Sequence, residues 1–148
     1  MGNYLNPGNE GFLTSIRSKI YVDKTGLIDY TNQILDTEDK FISVSRPRRF
    51  GKSMAAKMLV AYYSRGCDSY ELFQNYEIAR KAAFRQNLNQ YDVIRLDMQL
   101  IRSTAISEGY QDKQLSYLQE KVIDELEQAY GTFLTGKEKS LAGVFQQL

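Results

Sequence analysis

Apolar residues fall into a few stretches whose spacing changes along the chain, and each spacing predicts a different element. Residues 41–45, FISVS, are apolar nearly throughout, the pattern of a central strand covered on both faces. Residues 54–65 carry Met54, Ala55, Met58, Leu59, Ala61 and Tyr62, with Lys57 as the single charge before Arg65. That predicts a helix buried on most sides, with Gly66 at its C-terminal end. Residues 92–98, DVIRLDM, are rich in β-branched and aliphatic side chains and predict a second strand. Across residues 110–130, Leu115, Leu118, Val122, Leu126 and Ala129 recur at helical spacing beneath an outer face of Asp, Glu, Gln and Lys, the mark of an amphipathic packing helix.

Shorter patterns fill the gaps. Phe12, Leu13 and Ile16 predict a helix over 9–17. Leu27, Ile28, Thr31, Ile34 and Leu35 predict another that Asp23 caps. Asp68 with Glu71 three residues on reads as a capping box, and 77–87 as a helix whose Arg80, Lys81 and Arg85 form a solvated face. Residues 102–109 look like a loop, and 136–148 like the start of a further helix. Together these predict an α/β fold of the P-loop NTPase kind, a partial parallel sheet with flanking helices. Two strands make a small sheet, so the chain reads as the N-terminal part of a longer domain. Apolar surface is then expected to lie exposed along 41–45 and 93–96.

The candidate chemistry sits between the first strand and its helix, in SRPRRFGKSM at residues 45–54. A strand, a loop of this length and a helix opening in Lys-Ser suit a nucleoside triphosphate. Gly51 lets a ligand approach the backbone, Lys52 offers a compact positive charge to the β- and γ-phosphates, and the Ser53 hydroxyl is a candidate Mg²⁺ ligand. Arg48 and Arg49 add candidate phosphate contacts, and the flanking Phe50 and Met54 complete the stretch. The pattern G-x-x-x-x-G-K-[ST] asks for glycine where Arg46 stands. Pro47 then turns the chain by its fixed φ. The plain alternative is a basic turn ahead of an ordinary helix. Asp97, at the end of the second strand, is a candidate for the metal shell, but Met98 follows it where a water-activating acid is wanted.

Composition narrows the choice. A chain of 148 residues, 43% hydrophobic and 25% charged, is the size and make-up of one globular domain or part of one. Its net charge of +1 gives no general attraction to nucleic acid or membrane, so any anion preference is local. The absence of histidine makes zinc sites and Ser-His-Asp chemistry poor expectations, and a lone Cys67 fits a reducing cytoplasm. No apolar run approaches the roughly 20 residues that span a bilayer, which predicts no membrane partner.

Four blocks, IYVDKTGLI at 20–28, SRPRRFGKSM at 45–54, YYSRGCDSYELF at 62–73 and YDVIRLDM at 91–98, resemble successive blocks of the predicted AAA-ATPase-like proteins of bacteria and archaea. In that family RPRRFGKS is its own form of the phosphate loop. The resemblance implies a Walker A site for ATP and Mg²⁺, a later acidic Walker B strand, and often a C-terminal domain resembling PD-(D/E)XK nucleases through which nucleic acid becomes a partner. By analogy it also sets Asp23, Lys24 and Thr25 near the nucleotide. The resemblance covers about residues 8–98. The expected function is ATP binding without efficient turnover in this chain, with ATPase activity in a longer protein. The alternative is a non-enzymatic module whose arginine-rich loop grips nucleic acid or an acidic protein.

Overall fold

A computed structural model of the chain describes residues 2–131 and 141–146. It corrects the expected α/β architecture. Among the described residues there is no strand and no sheet; the β-type pairings are isolated bridges, Leu5 with Ile94 (antiparallel) and Ser64 with Tyr91 (parallel). The molecule is built from helices instead: α1 Glu10–Ile16, α2 Gly26–Ile34, α3 Lys52–Tyr63, α4 Tyr70–Phe73, α5 Phe84–Asn87, α6 Met98–Ser107, α7 Gln114–Tyr130 and α8 Leu141–Phe145. The predicted helix from Gly136 lies partly outside the described residues.

A strand exists only with a neighbour to take its N–H and C=O groups. Residues 41–47 find none and carry no regular structure, which leaves Phe41 85%, Val44 49% and Ile42 42% exposed. The second predicted strand gives way at its end to α6. Asp97 caps that helix, its Oδ1 accepting the Leu100 N–H at 3.2 Å, while Ile101 and Ala105, four residues apart, are buried beneath it.

The chain divides into two compact units, residues 6–93 and residues 2–5 with those from 94 onward. The first has a core of Phe12, Ile28, Met58, Ala61, Tyr62, Tyr63, Phe73, Ile78 and Phe84. Phe12 and Phe73 stack with ring centres 5.0 Å apart, and Tyr62 meets Phe73 edge-on at 5.5 Å. Burial is confined to the second half of α3, Met58 to Tyr63, so that helix is not covered on most sides as its composition predicts. Gly66 is needed for close approach and not for a helix end: Ser64 caps α3, and a Cβ on Gly66 would stand 2.4 Å from the Asn6 carbonyl oxygen.

Other local readings change in the same way. Residues 77–87 split into a 3-10 turn, Glu77–Arg80, and α5, with Lys81 between them paired to Asp29 at 3.0 Å. No capping box forms at Asp68. Its carboxylate accepts the Tyr70 N–H, and Ser69 takes the cap position. In the second unit, Tyr117, Leu118, Val122, Ile123 and Leu126 of α7 form the core with Leu5, Ile101, Ala105 and Val144. The Glu125 carboxylate there accepts the N–H groups of Asn3, Tyr4 and Leu5 at 2.9, 2.9 and 2.8 Å.

Candidate functional site

The chain reaches α3 through a turn at Arg48 and Arg49, and two residues of this loop have left-handed backbones: Arg49 at φ 68° and Gly51 at φ 80°. For Arg49 that costs on the order of 1 kcal/mol. Gly51 adopts it freely and is the N-cap of α3. A left-handed residue followed by helical ones turns successive N–H groups toward one point. The first intrahelical bond runs from Ala55 N–H to Gly51 O at 2.9 Å. The amides of Lys52, Ser53 and Met54 therefore precede any intrahelical acceptor, and no side chain caps them.

Two ammonium groups close over this backbone. Lys52 folds back and its Nζ donates to the Arg46 carbonyl, tying the loop into a ring. Lys24, from the turn before α2, brings its Nζ 3.5 Å from the Phe50 carbonyl and 2.7 Å from where a Gly51 Cβ would stand. Between them lies a hollow of about 320 Å³ lined by Lys24, Leu27, Val44, Arg46, Phe50, Gly51, Lys52 and Ala55. Three of these residues are cationic and none is acidic. Among the described residues no carboxylate pairs with Lys24, Arg46, Arg48, Arg49 or Lys52, whereas Arg65, Lys81, Arg95 and Lys121 all have acidic partners.

Of the residues singled out in sequence, Lys24, Arg46, Phe50, Gly51 and Lys52 line the hollow. Arg48, Arg49 and Ser53 are exposed along the same loop and helix mouth, and Met54 is half-buried. Leu27, Val44 and Ala55 complete the hollow; their apolar spacing predicts helix or strand and carries no signal for a site. Asp97 belongs to the second unit, where Oδ1 caps α6 and Oδ2 lies 3.6 Å from Arg95. Among the described residues no group of three or more His, Cys, Asp or Glu stands ready for a metal ion. A larger cavity of about 600 Å³ lies in the second unit. Most of its charges are already engaged: Arg95 with Asp97, Lys121 with Glu108 at 3.8 Å, and Glu125 with three amides.

A family model described as Predicted AAA-ATPase matches residues 12–148. The chain belongs to the predicted AAA-ATPase family. The match extends past residue 103, where the sequence offers no sharp motif, and so takes in α7 of this AAA-ATPase-like chain. No curated protein and no solved structure matches the chain. No helix among the described residues is long and apolar enough to cross a membrane.

In this AAA-ATPase-like chain the DKT segment is fixed by long-range bonds and not by the helix cap that its sequence predicts. Asp23 accepts the Thr25 N–H at 2.8 Å and the Glu77 N–H at 2.9 Å, while buried Thr25 accepts the Ile78 N–H through Oγ1 at 3.2 Å. Burial opposes ionisation of Asp23, yet the Glu77 and Thr25 amides and the Thr25 hydroxyl outweigh it and hold the carboxyl below its ordinary value. A lowered folded pKa stabilises fully above the unfolded value near about 4 and is lost as pH falls through the folded value. In urea unfolding, the stability gap between wild type and Asp23→Asn is therefore expected to narrow as pH drops from neutral to below about 4. A gap independent of pH would show that the charge on Asp23 does not hold this turn. Beside it, burial raises the Tyr21 hydroxyl to about 12, with Tyr76 and Asp23 adding to the rise. The Lys24 amide favours its ionised form without reaching hydrogen-bond geometry.

Proposed function

We propose that the loop and helix mouth at residues 46–54 of this AAA-ATPase-like chain bind ATP. The observation that carries the reading is the set of uncompensated cations around a hollow where three helix-mouth amides have no intrahelical acceptor. An anion supplies what those groups lack, and polyphosphate at a helix N-terminus is a well-founded match. The whole chain is near neutral, so the attraction is local to this loop.

In this reading Lys52 acts as a point charge on the β- and γ-phosphates, the amides of residues 52–54 donate to phosphate oxygens, and Arg48 and Arg49 contact the phosphates from the rim. Phe50 and Met54 flank the ligand. The Ser53 hydroxyl would hold Mg²⁺, which would supply positive charge to the phosphates. Both Asp97 oxygens already have partners, so the metal shell is assigned without it. No carboxylate lines the hollow to activate water, and the function proposed for this chain is binding and not turnover. A cytoplasmic site of action suits the free thiol of Cys67.

Titrating a fluorescent ATP analogue, with and without Mg²⁺, tests the proposal. Saturable binding that Mg²⁺ strengthens is the expected result. Absence of ATP binding, together with affinity for duplex DNA that falls steeply with salt, would replace it with the arginine-loop alternative.

A further inference from the structure

We propose that Lys24 is a second phosphate-binding residue, a cation delivered to the nucleotide loop from outside it; this rests on the ATP reading above. Within the DKT segment, Asp23 and Thr25 are both engaged in fixing the backbone, their oxygens accepting the Thr25, Glu77 and Ile78 amides. Thr25 is completely buried, whereas Lys24 between them is exposed and reaches out toward the loop. Its ammonium stands over Gly51, the one loop residue whose lack of a side chain leaves the backbone open. The bond to the Phe50 carbonyl, at 3.5 Å, is at the limit of hydrogen-bond length and too weak to account for the placement of a whole lysine. Among the described residues no carboxylate pairs with it, and the hollow that it lines contains no acid.

Two lysines then converge from different elements, Lys52 from α3 and Lys24 from the turn before α2. Lys52 alone would neutralise one charge of a triphosphate. Two cations reaching the hollow from different elements favour ligands with several phosphates, whose added charges give each lysine its own partner. Asp23 and Thr25 hold the turn that carries Lys24, which keeps the ammonium in place before ligand arrives and reduces the ordering cost of binding.

The test compares wild type, Lys24→Gln, Lys24→Arg and Lys52→Ala for binding of ATP, AMP and inorganic triphosphate, with thermal unfolding of each free protein. Lys24→Gln is expected to weaken ATP and inorganic triphosphate by about 10-fold or more. AMP affinity and the melting temperature should stay unchanged, and Lys24→Arg should recover most of the loss. Wild-type ATP affinity in Lys24→Gln, alongside its loss in Lys52→Ala, would overturn the role of Lys24 and leave the loop reading intact. A parallel fall in ATP affinity and melting temperature would reduce Lys24 to a structural tie and also overturn it. Failure of the wild type to bind ATP would end both.

Discussion

Lys52→Ala is expected to lower ATP affinity by about 100-fold. A charge-assisted contact contributes about 1.5–3 kcal/mol, and each 1.4 kcal/mol is about a factor of ten. The substitution also removes the bond from Nζ to the Arg46 carbonyl that closes the loop, so the backbone donors at the mouth of α3 lose part of their fixed geometry. Lys52 is exposed, and folding should change by no more than about 0.5 kcal/mol. An intact melting curve with lost ATP binding therefore assigns the effect to the site. Undiminished ATP binding by Lys52→Ala would show that the hollow is not where nucleotide sits. A steady ATPase rate in the wild type, lost in the variant, would place a water-activating acid in this chain that the hollow does not contain.

The same substitution separates the nucleotide reading from a general attraction of the loop for anions. Arg46, Arg48 and Arg49 remain in Lys52→Ala, so binding that depends on total charge would survive it with a salt slope little changed. Binding that depends on a cation at one point of a backbone cradle would not. Gly51 serves as a companion position, because its left-handed φ of 80° belongs to the cradle itself.

The turn into α3 is legible in sequence, because a glycine ahead of an apolar helical run marks a left-handed residue at the helix start, and Gly51 has that backbone. The packing helix α7 was legible because its apolar stripe is local, although Leu115, which falls on that stripe, is 66% exposed and Tyr117 and Ile123 are buried beside it. That residues 41–45 form no strand is not legible, since they look like one by composition while pairing depends on a partner that periodicity does not reveal. Residues 102–109 read as a loop because Arg102, Ser103 and Thr104 obscure the single buried pair, Ile101 and Ala105, that anchors α6. Asp23 looks like a helix cap in sequence; its second partner, the Glu77 amide, lies 54 residues further on and leaves no trace in the local pattern. Lys24 carries no local pattern that marks it for a site, and only the fold shows that it lines the same hollow as Lys52.

Tyr62→Ala is expected to cost about 3–5 kcal/mol, a large share of the stability of a domain whose total is on the order of 5–15 kcal/mol. Tyr62 is fully buried on α3 and packs edge-on against Tyr63 at 4.8 Å and Phe73 at 5.5 Å, with Phe84 at 6.1 Å. Its hydroxyl donates to the Phe84 carbonyl at 2.9 Å and accepts from Asn32 at 3.0 Å, so the ring joins α2, α3 and α5. Tyr62→Phe isolates the second contribution and should cost about 1 kcal/mol, the loss of hydrogen bonds with the ring left in place. Urea unfolding of both variants checks the partition. Equal losses would show that the hydroxyl, and not the ring, is what anchors α3. Because about 1 kcal/mol leaves nearly every Tyr62→Phe molecule folded, with Gly51, Lys52 and Ser53 still carried on a seated α3, its ATP affinity should match that of the wild type.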